Sequence, residues 1–148
     1  MWDGEAFVGA KLALLCGADL VAYRRDRNPG IPFPGLWDLP GGGREGDESP
    51  VACVLRELGE EFGIRLAPGR LAWARRYPPL AEGRAASWFF AAAIGPEEVA
   101  RIRFGDEGEA WTMMPAGLFL RRADAVPYLQ ARLADVLAET PPGSALGR

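Results

Sequence analysis

The sequence predicts a layered α/β or α+β fold in one domain. Segments with the apolar patterns of strands alternate with two longer segments of helical periodicity, and 148 residues suit a single hydrophobic core. The composition, with 49% hydrophobic and 25% charged residues, is typical of a folded globular chain. We therefore place every motif on one scaffold, residues 1–140, and expect residues 141–148 to form a flexible C-terminal tail.

The N-terminal third predicts a β-hairpin followed by an ordered loop. Apolar residues dominate 6–16 and 20–25, and Gly17-Ala18-Asp19 between them has the chemistry of a turn. Residues 28–35 hold three prolines and two glycines, which exclude a helix and a central strand. This loop leads through Trp37-Asp38-Leu39-Pro40 into Gly41-Gly42-Gly43.

Ser49-Pro50 predicts the start of a helix, with serine as N-cap and proline at the first helical position. Gly63 is a suitable left-handed end, so the helix is expected over residues 50–62. Its apolar residues fall on one stripe that should pack on the sheet: Val51, Val54, Leu55, Leu58 and Phe62. The rest of the helix is expected to face outward.

The second half predicts three more strands and a closing helix. The strands are expected at residues 70–77, 85–94 and 110–114. The closing helix, residues 126–139, should cover the sheet with its apolar face: Val126, Leu129, Leu133, Val136 and Leu137.

Charge and hydropathy exclude several classes of partner. A net charge of −3 provides no basic field for a nucleic-acid backbone, so nucleic acid is disfavoured as a partner. No apolar run reaches the roughly 20 residues that a membrane helix needs, and the N-terminus lacks the pattern of a signal peptide. We therefore expect a cytoplasmic protein that does not contact a membrane.

The absence of histidine excludes zinc sites and catalytic triads that depend on imidazole. The two cysteines, Cys16 and Cys53, form no CxxC pair and are interpreted as buried or partly buried free thiols. A general base must then be a carboxylate or, less favourably, Lys11, a tyrosine or a cysteine.

Three glutamates of the first helix share one region of its surface. Glu57, Glu60 and Glu61 stand at i, i+3 and i+4, outside the apolar stripe, so their charges should repel. A hard divalent cation, which prefers oxygen ligands, would make the cluster favourable, and Mg²⁺ or Mn²⁺ is its natural occupant. The alternative is an acidic helix face that is only solvated.

The spacing around this cluster favours the metal site. Gly42 is followed by five residues and Glu48, then by seven residues and Arg56-Glu57-Leu58-Gly59-Glu60-Glu61-Phe62-Gly63-Ile64. This pattern, together with the preceding Trp37-Asp38-Leu39-Pro40-Gly41, resembles the signature box of the Nudix hydrolase family. The resemblance implies an α/β/α sandwich around a central mixed sheet.

The resemblance also implies roles for residues of the box. Glu57, Glu60, Glu61 and the carbonyl of Gly42 match the family's metal-ligand positions, with Glu57 and Glu60 also expected to be catalytic. Arg56 and Glu48 match an ion pair that orients the loop before the helix. Gly41 and Gly43 are expected to let the backbone approach metal and phosphate closely.

Outside the box, an acidic loop after residue 104 is the next candidate. Several relatives keep a catalytic or metal-binding glutamate in such a loop, within a Glu-Gly-Gln sequence. Here Glu107 precedes Gly108, but Glu109 replaces the glutamine. We expect Glu107 to be the base or an extra ligand, with Glu109 as the alternative.

The predicted activity is Mg²⁺-dependent cleavage of a nucleoside diphosphate linked to another group, by attack of water at phosphorus. Arg24, Arg25 and Arg84 are candidates for binding phosphate oxygens of this small-molecule substrate. A nucleotide-binding module without turnover is the alternative. Pro78-Pro79 resembles a proline found in ADP-ribose-cleaving relatives, whereas the short chain and the Trp37-Asp38-Leu39-Pro40-Gly41-Gly42 segment resemble triphosphate-cleaving ones. The substrate therefore stays open. The oligomeric state stays open as well, with a homodimer as one alternative.

Overall fold

The computed structural model describes residues 2–140 and residue 146, and its centre is one mixed β-sheet. The described residues form seven strands: β1 (Phe7–Cys16), β2 (Asp19–Arg24), β3 (Trp37–Asp38), β4 (Gly41–Gly43), β5 (Trp73–Tyr77), β6 (Ala86–Ala93) and β7 (Ala110–Pro115). The path through the sheet is β3-β2-β1-β6-β5, while β4 pairs with β1 and β7 pairs with β2. Only β1 and β6 pair in parallel among these strands, which makes the sheet mixed.

The described residues also form four helices, α1 (Pro50–Phe62), α2 (Pro96–Val99), α3 (Ala116–Arg121) and α4 (Pro127–Glu139), with a 3₁₀ turn at Pro68–Arg70. One core cluster contains Val54, Leu58 and Phe62 of α1. The other contains Phe119 of α3 and the α4 residues Leu129, Leu133 and Val136. Because the two clusters occupy opposite faces of the sheet, the predicted α/β/α sandwich around a mixed sheet is confirmed.

Local sequence signals place the first hairpin and helix α1 correctly. The β1–β2 hairpin forms, with Leu15 opposite Leu20. The Ser49 hydroxyl accepts a hydrogen bond from the amide of Ala52, and Gly63 ends the helix with a φ of 67°. Residues 28–35 form neither helix nor strand, as expected.

One expected strand was wrong in part, and several short elements were not expected: β3, β4, α2 and α3. The strand expected over residues 70–77 begins only at Trp73, because Pro68–Arg70 forms a 3₁₀ turn. Helix α3 was not expected, since Gly117 disfavours helix and the segment is short. It forms because Phe119 is fully buried in the core.

The expected outward orientation of the α1 acids was also wrong for two of the three. Glu57 and Glu61 are buried, at 9% and 4% exposure, whereas the side chain of Glu60 is 56% exposed. The buried face of α1 is wider than its apolar stripe because the glycine strand β4 packs beside it. Sequence periodicity counts only apolar residues and therefore misses a face completed by carboxylates.

Most of the predicted tail, residues 141–145, 147 and 148, lies outside the described residues. Leu146 is buried in the core cluster that contains α4. No helix within residues 2–140 is long and apolar enough to span a membrane.

Candidate active site

Three carboxylates, those of Glu57, Glu61 and Glu107, lie close together and are called the three-carboxylate group below. Glu57 and Glu61 project from successive turns of α1, and Glu107 reaches them from the loop before β7. One carboxylate oxygen from each lies within 4.8 Å of the other two. This arrangement brings together two of the predicted box ligands and the preferred loop carboxylate.

Two glycines of β4 lie too close to their neighbours for a side chain, Gly41 against strand β1 and Gly42 against helix α1. Gly41 has a φ of 129°, and a Cβ atom there would lie 2.2 Å from the carbonyl oxygen of Ala10. A Cβ atom on Gly42 would lie 2.5 Å from the Cδ atom of Glu57. Gly43 is less restricted, since the nearest atom to such a Cβ is the Val8 oxygen at 3.9 Å. Gly41 therefore allows close packing of two strand backbones, and Gly42 allows the Glu57 carboxylate to lie against the strand.

Backbone groups of β4 also bind the site. The amide of Gly41 donates to Oε1 of Glu61 at 2.9 Å, which fixes that buried carboxylate against the sheet. The Gly42 carbonyl, expected as a metal ligand, accepts a weak hydrogen bond from the Cys53 thiol at 3.6 Å.

Arg56 connects the loop before α1 to the acidic face of the helix. Its Nε and Nη2 atoms donate to the two carboxylate oxygens of Glu48, at 3.0 and 2.8 Å, and Nη2 also reaches the Gly43 carbonyl at 2.8 Å. Nη1 contacts Glu57 at 3.2 Å and Glu60 at 3.1 Å. The structure thus contains the ion pair expected between Arg56 and Glu48, and the bidentate geometry is the stronger type.

Glu60 is separate from the three-carboxylate group. Its carboxylate is held at the surface by Arg56, whereas Glu57 and Glu61 point inward. The structure therefore brings together Glu57, Glu61 and Glu107, and leaves Glu60 on the outer side of the same helix.

The loop that carries Glu107 is fixed at both ends. The amide of Gly105 donates to the Glu61 carbonyl at 2.8 Å, and the amide of Glu109 donates to the Arg24 carbonyl at 2.9 Å. Gly108 has a φ of 117° and no room for a side chain, since a Cβ atom would lie 2.7 Å from the Arg24 oxygen. Glu109 itself points elsewhere, toward Arg27 at 3.4 Å.

The electrostatics of the three carboxylates fit a divalent cation. Burial raises the pKa of Glu61 to about 8, against the opposing effect of Lys11. Burial also raises the pKa of Glu57, to which the charges of Glu107 and Glu60 add. Because both carboxylates are destabilised in the charged form, a cation among them would relieve the cost, and an all-oxygen donor set suits Mg²⁺ or Mn²⁺.

A buried charge network around Asp38 adjoins the carboxylates, and no sequence pattern indicated that Asp38 would pair with Lys11 and Arg25. Nζ of Lys11 lies 3.0 Å from Asp38 and donates to the Leu39 carbonyl at 3.1 Å. Arg25 contacts Asp38 at 2.7 Å, and the Tyr23 hydroxyl donates to it at 3.0 Å. Burial is the largest single influence and would lower the pKa of Lys11, but Asp38, Tyr23 and more distant groups together outweigh it and raise the pKa well above its usual value. Lys11 is therefore a fixed cation rather than a base.

A cavity of about 390 Å³ opens above these groups, and arginines lie on its wall. Arg25 and Arg84 line it, as do the three β4 glycines. Arg24 is not part of the wall; its Nε atom donates to the Gly35 carbonyl at 3.0 Å. Two further lining residues come from α4, Tyr128 and the buried Arg132, and neither was predicted. An arginine three residues after Leu129, within the apolar face of that helix, is the signal that could have found it.

Comparison with known proteins gives a family match over most of the chain. The model of the NUDIX domain family matches residues 8–135. A curated RNA pyrophosphohydrolase from Acidiphilium cryptum is 52% identical over 56 residues, which are 38% of this chain and 33% of that protein. The chain thus matches about a third of the length of that curated relative.

Solved structures share the fold. A MutT protein from Methanosarcina mazei Go1 has a TM-score of 0.69 at 20% identity, covering 94% of this chain and 98% of that one. An Ap4A hydrolase from C. elegans has a TM-score of 0.68 at 16% identity, covering 88% and 96%. At these identities the similarity shows the architecture alone.

Proposed function

Because the chain belongs to the NUDIX domain family, whose model matches residues 8–135, we propose that it is a metal-dependent pyrophosphohydrolase. It would cleave a nucleoside diphosphate linked to another group, with water attacking phosphorus. The observation that carries this proposal is the meeting of Glu57, Glu61 and Glu107 within 4.8 Å, beside a cavity lined by arginines. Acidic residues would hold the cation, and basic residues would hold the phosphates.

The proposed cofactor is Mg²⁺, for which Mn²⁺ could substitute. When bound, the cation would neutralise phosphate oxygens and orient the attacking water. Glu57 and Glu61 are the proposed side-chain ligands that the structure supports most directly, since both are buried in the three-carboxylate group. Glu60 and the Gly42 carbonyl stay proposed ligands through their positions in the box motif.

Glu107 is the proposed general base. Its carboxylate lies beside Glu57 and Glu61, lines the cavity and comes from a loop fixed by backbone hydrogen bonds. It can therefore accept a proton from water at the same place where the phosphates would be held. No covalent intermediate with the enzyme is required.

The phosphates would be bound by groups on the cavity wall. Arg84 is exposed there, and its guanidinium has no hydrogen bond or ion pair within residues 2–140. Arg25 is held in place by Asp38 at 2.7 Å and by the Pro32 carbonyl at 2.8 Å, so it would supply fixed positive charge. The backbone of Gly41 and Gly43 borders the same space. Arg24, which lies outside the wall, receives no support as a phosphate ligand.

The proposed substrate is a nucleotide, and its class is best determined by a panel. The panel would contain nucleoside and deoxynucleoside triphosphates, ADP-ribose, a nucleoside diphosphate sugar, a dinucleoside polyphosphate and an RNA oligonucleotide with a 5′-triphosphate. The last is included because a curated relative is named an RNA pyrophosphohydrolase. Product analysis in ¹⁸O-labelled water would show which phosphorus is attacked.

The expected result is turnover of at least one substrate with Mg²⁺ or Mn²⁺ and none in excess EDTA. Full turnover in the chelator would contradict the metal assignment. Tight nucleotide binding without any turnover, with metal present, would instead favour a non-catalytic nucleotide-binding module of the same fold.

A further inference from the structure

Arg132 is a buried cation that faces the cavity. It lies in the middle of α4, is 3% exposed and contributes to the cavity wall. Its guanidinium contacts two aromatic rings, with Cζ 4.4 Å from the ring centre of Tyr77 and 4.7 Å from that of Tyr128. These cation–π contacts hold the group in place without any negative charge.

No carboxylate or hydrogen-bond acceptor is paired with Arg132 anywhere in residues 2–140. Asp135, about one helical turn further along α4, accepts from the Tyr77 hydroxyl at 2.7 Å and lies 3.5 Å from Arg75. The contrast with the neighbouring cations is clear, because Lys11 and Arg25 are both paired with Asp38.

An unpaired guanidinium at this depth is costly. Burial lowers the pKa of Arg132, and only the two tyrosines offset this effect. Arginines are rarely buried without a partner, since the loss of hydration must be compensated by hydrogen bonds to an acceptor. The free N–H donors of a planar guanidinium match the two oxygens of a phosphate group.

The position of Arg132 separates it from the three-carboxylate group. Arg132 belongs to α4, whose apolar residues pack in one core cluster, whereas Glu57 and Glu61 belong to α1, which packs in the other cluster. All of these residues, with Glu107, line one cavity. The α1 side of the cavity therefore carries the carboxylates, where the metal is proposed, and the α4 side carries Arg132.

We propose that Arg132 binds a phosphate group of the substrate that lies outside the metal-bound part of the polyphosphate chain. The enzyme would then prefer substrates with three or more consecutive phosphates over two-phosphate substrates such as nucleoside diphosphate sugars. This inference rests on the proposed function for the identity of the substrate. The anion site itself is a separate property that can be measured without turnover.

The test uses binding rather than catalysis. Isothermal titration calorimetry would measure the affinity of the whole protein, in EDTA, for inorganic tripolyphosphate and for adenosine. Arg132→Met keeps the aliphatic length and the ring contacts but removes the charge. Arg121→Met is the matched control, because Arg121 is an exposed arginine on α3 whose guanidinium donates to the Gly117 carbonyl.

Arg132→Met should weaken tripolyphosphate binding about tenfold to a hundredfold, the effect of losing one or two charge-assisted hydrogen bonds. The affinity of Arg132→Met for adenosine should equal that of the wild type. Arg121→Met should have wild-type affinity for both ligands. The Arg132→Met protein should also melt no lower than the wild type without ligand, because an unpaired buried charge has been removed. In turnover, the preference for triphosphates over diphosphate sugars should fall by a similar factor.

Three results would overturn the inference. Tripolyphosphate affinity in Arg132→Met within about twofold of the wild type would remove the anion site. A loss of adenosine affinity alone would show that Arg132 contacts the nucleoside. Failure of both Arg132→Met and Arg132→Gln to fold would show that the arginine is structural. An inactive wild type that still binds tripolyphosphate through Arg132 would count against the proposed hydrolase activity and not against the site.

Discussion

Gly42 and Glu57 are so close that residue 42 has no room for a side chain. A Cβ atom on Gly42 would lie 2.5 Å from both Cδ and Oε2 of Glu57. The same carboxylate is also held by Arg56, whose Nη1 atom donates to Oε2 at 3.2 Å. The orientation of one proposed metal ligand therefore depends on the absence of a side chain on the strand opposite it.

Gly42→Ala should displace the Glu57 carboxylate while leaving the fold intact, because the end of a side chain can move more easily than a strand. A displacement of about 1 Å at a reacting centre can cost on the order of 10²-fold in rate, and we expect a fall in kcat of that order. Gly69→Ala is the control, since a Cβ atom there meets nothing within 4 Å. Wild-type kcat in Gly42→Ala would show that Glu57 does not need this position.

Glu57→Gln and Glu60→Gln should each lower kcat by about 10² or more if both carboxylates bind the metal. Glutamine preserves the size of the side chain, so both variants should fold, and thermal unfolding in EDTA would verify this. Glu45→Gln is the matched control, because Glu45 is exposed and also contacts Arg56, at 3.3 Å. If both variants keep wild-type kcat, neither Glu57 nor Glu60 binds a catalytic metal. A loss in Glu57→Gln alone would restrict the site to the inward-facing acids.

The features that the sequence predicted best are set by neighbouring residues. Ser49 and Gly63 delimit α1 because an N-cap hydroxyl and a left-handed glycine act within one helical turn. The mixed sheet and the two covering helices also follow from apolar patterns and from the family resemblance. These signals were sufficient to place Glu57, Glu61 and Glu107 in one candidate site.

The features that were missed depend on packing between distant segments. The burial of Glu61 requires the Gly41 amide, 20 residues earlier in the chain, as a hydrogen-bond donor. The cation–π contact that holds Arg132 requires Tyr77, which comes from strand β5. Periodicity describes one segment at a time, so it contains no information about such partners.

Glu107→Gln should lower kcat substantially and leave KM within a few-fold, because the base is lost while substrate contacts remain. Glu109→Gln is the matched control in the same loop and should be mild, since Glu109 is directed toward Arg27. Both variants would be measured over a range of Mg²⁺ concentrations. A lost ligand is partly compensated by more metal, whereas a lost base is not. A larger effect in Glu109→Gln would show that the other carboxylate is the base.

The pair formed by Glu48 and Arg56 should make stability depend on pH. Hydrogen bonds from Arg56 lower the pKa of Glu48 to about 2, from an ordinary value of 4.5. A carboxyl group whose pKa is lower in the folded state stabilises the fold above the unfolded-state pKa. That contribution is therefore complete at pH 7 and is lost as the pH falls from about 4.5 toward 2.

Glu48→Gln tests this dependence because it removes the charge and keeps the shape. We expect the free energy of unfolding at pH 7 to fall by about 1 to 2 kcal/mol, as for the loss of a charge-assisted hydrogen bond in a partly exposed site. Urea denaturation of both proteins at pH 7, 5, 4 and 3 should show a difference that is constant at the two higher values and smaller at the lower ones. Glu45→Gln, which removes an exposed partner of the same arginine, should change stability by less than about 0.5 kcal/mol. A difference between wild type and Glu48→Gln that does not change down to pH 3 would mean that the contribution of Glu48 to stability is not carried by its charge.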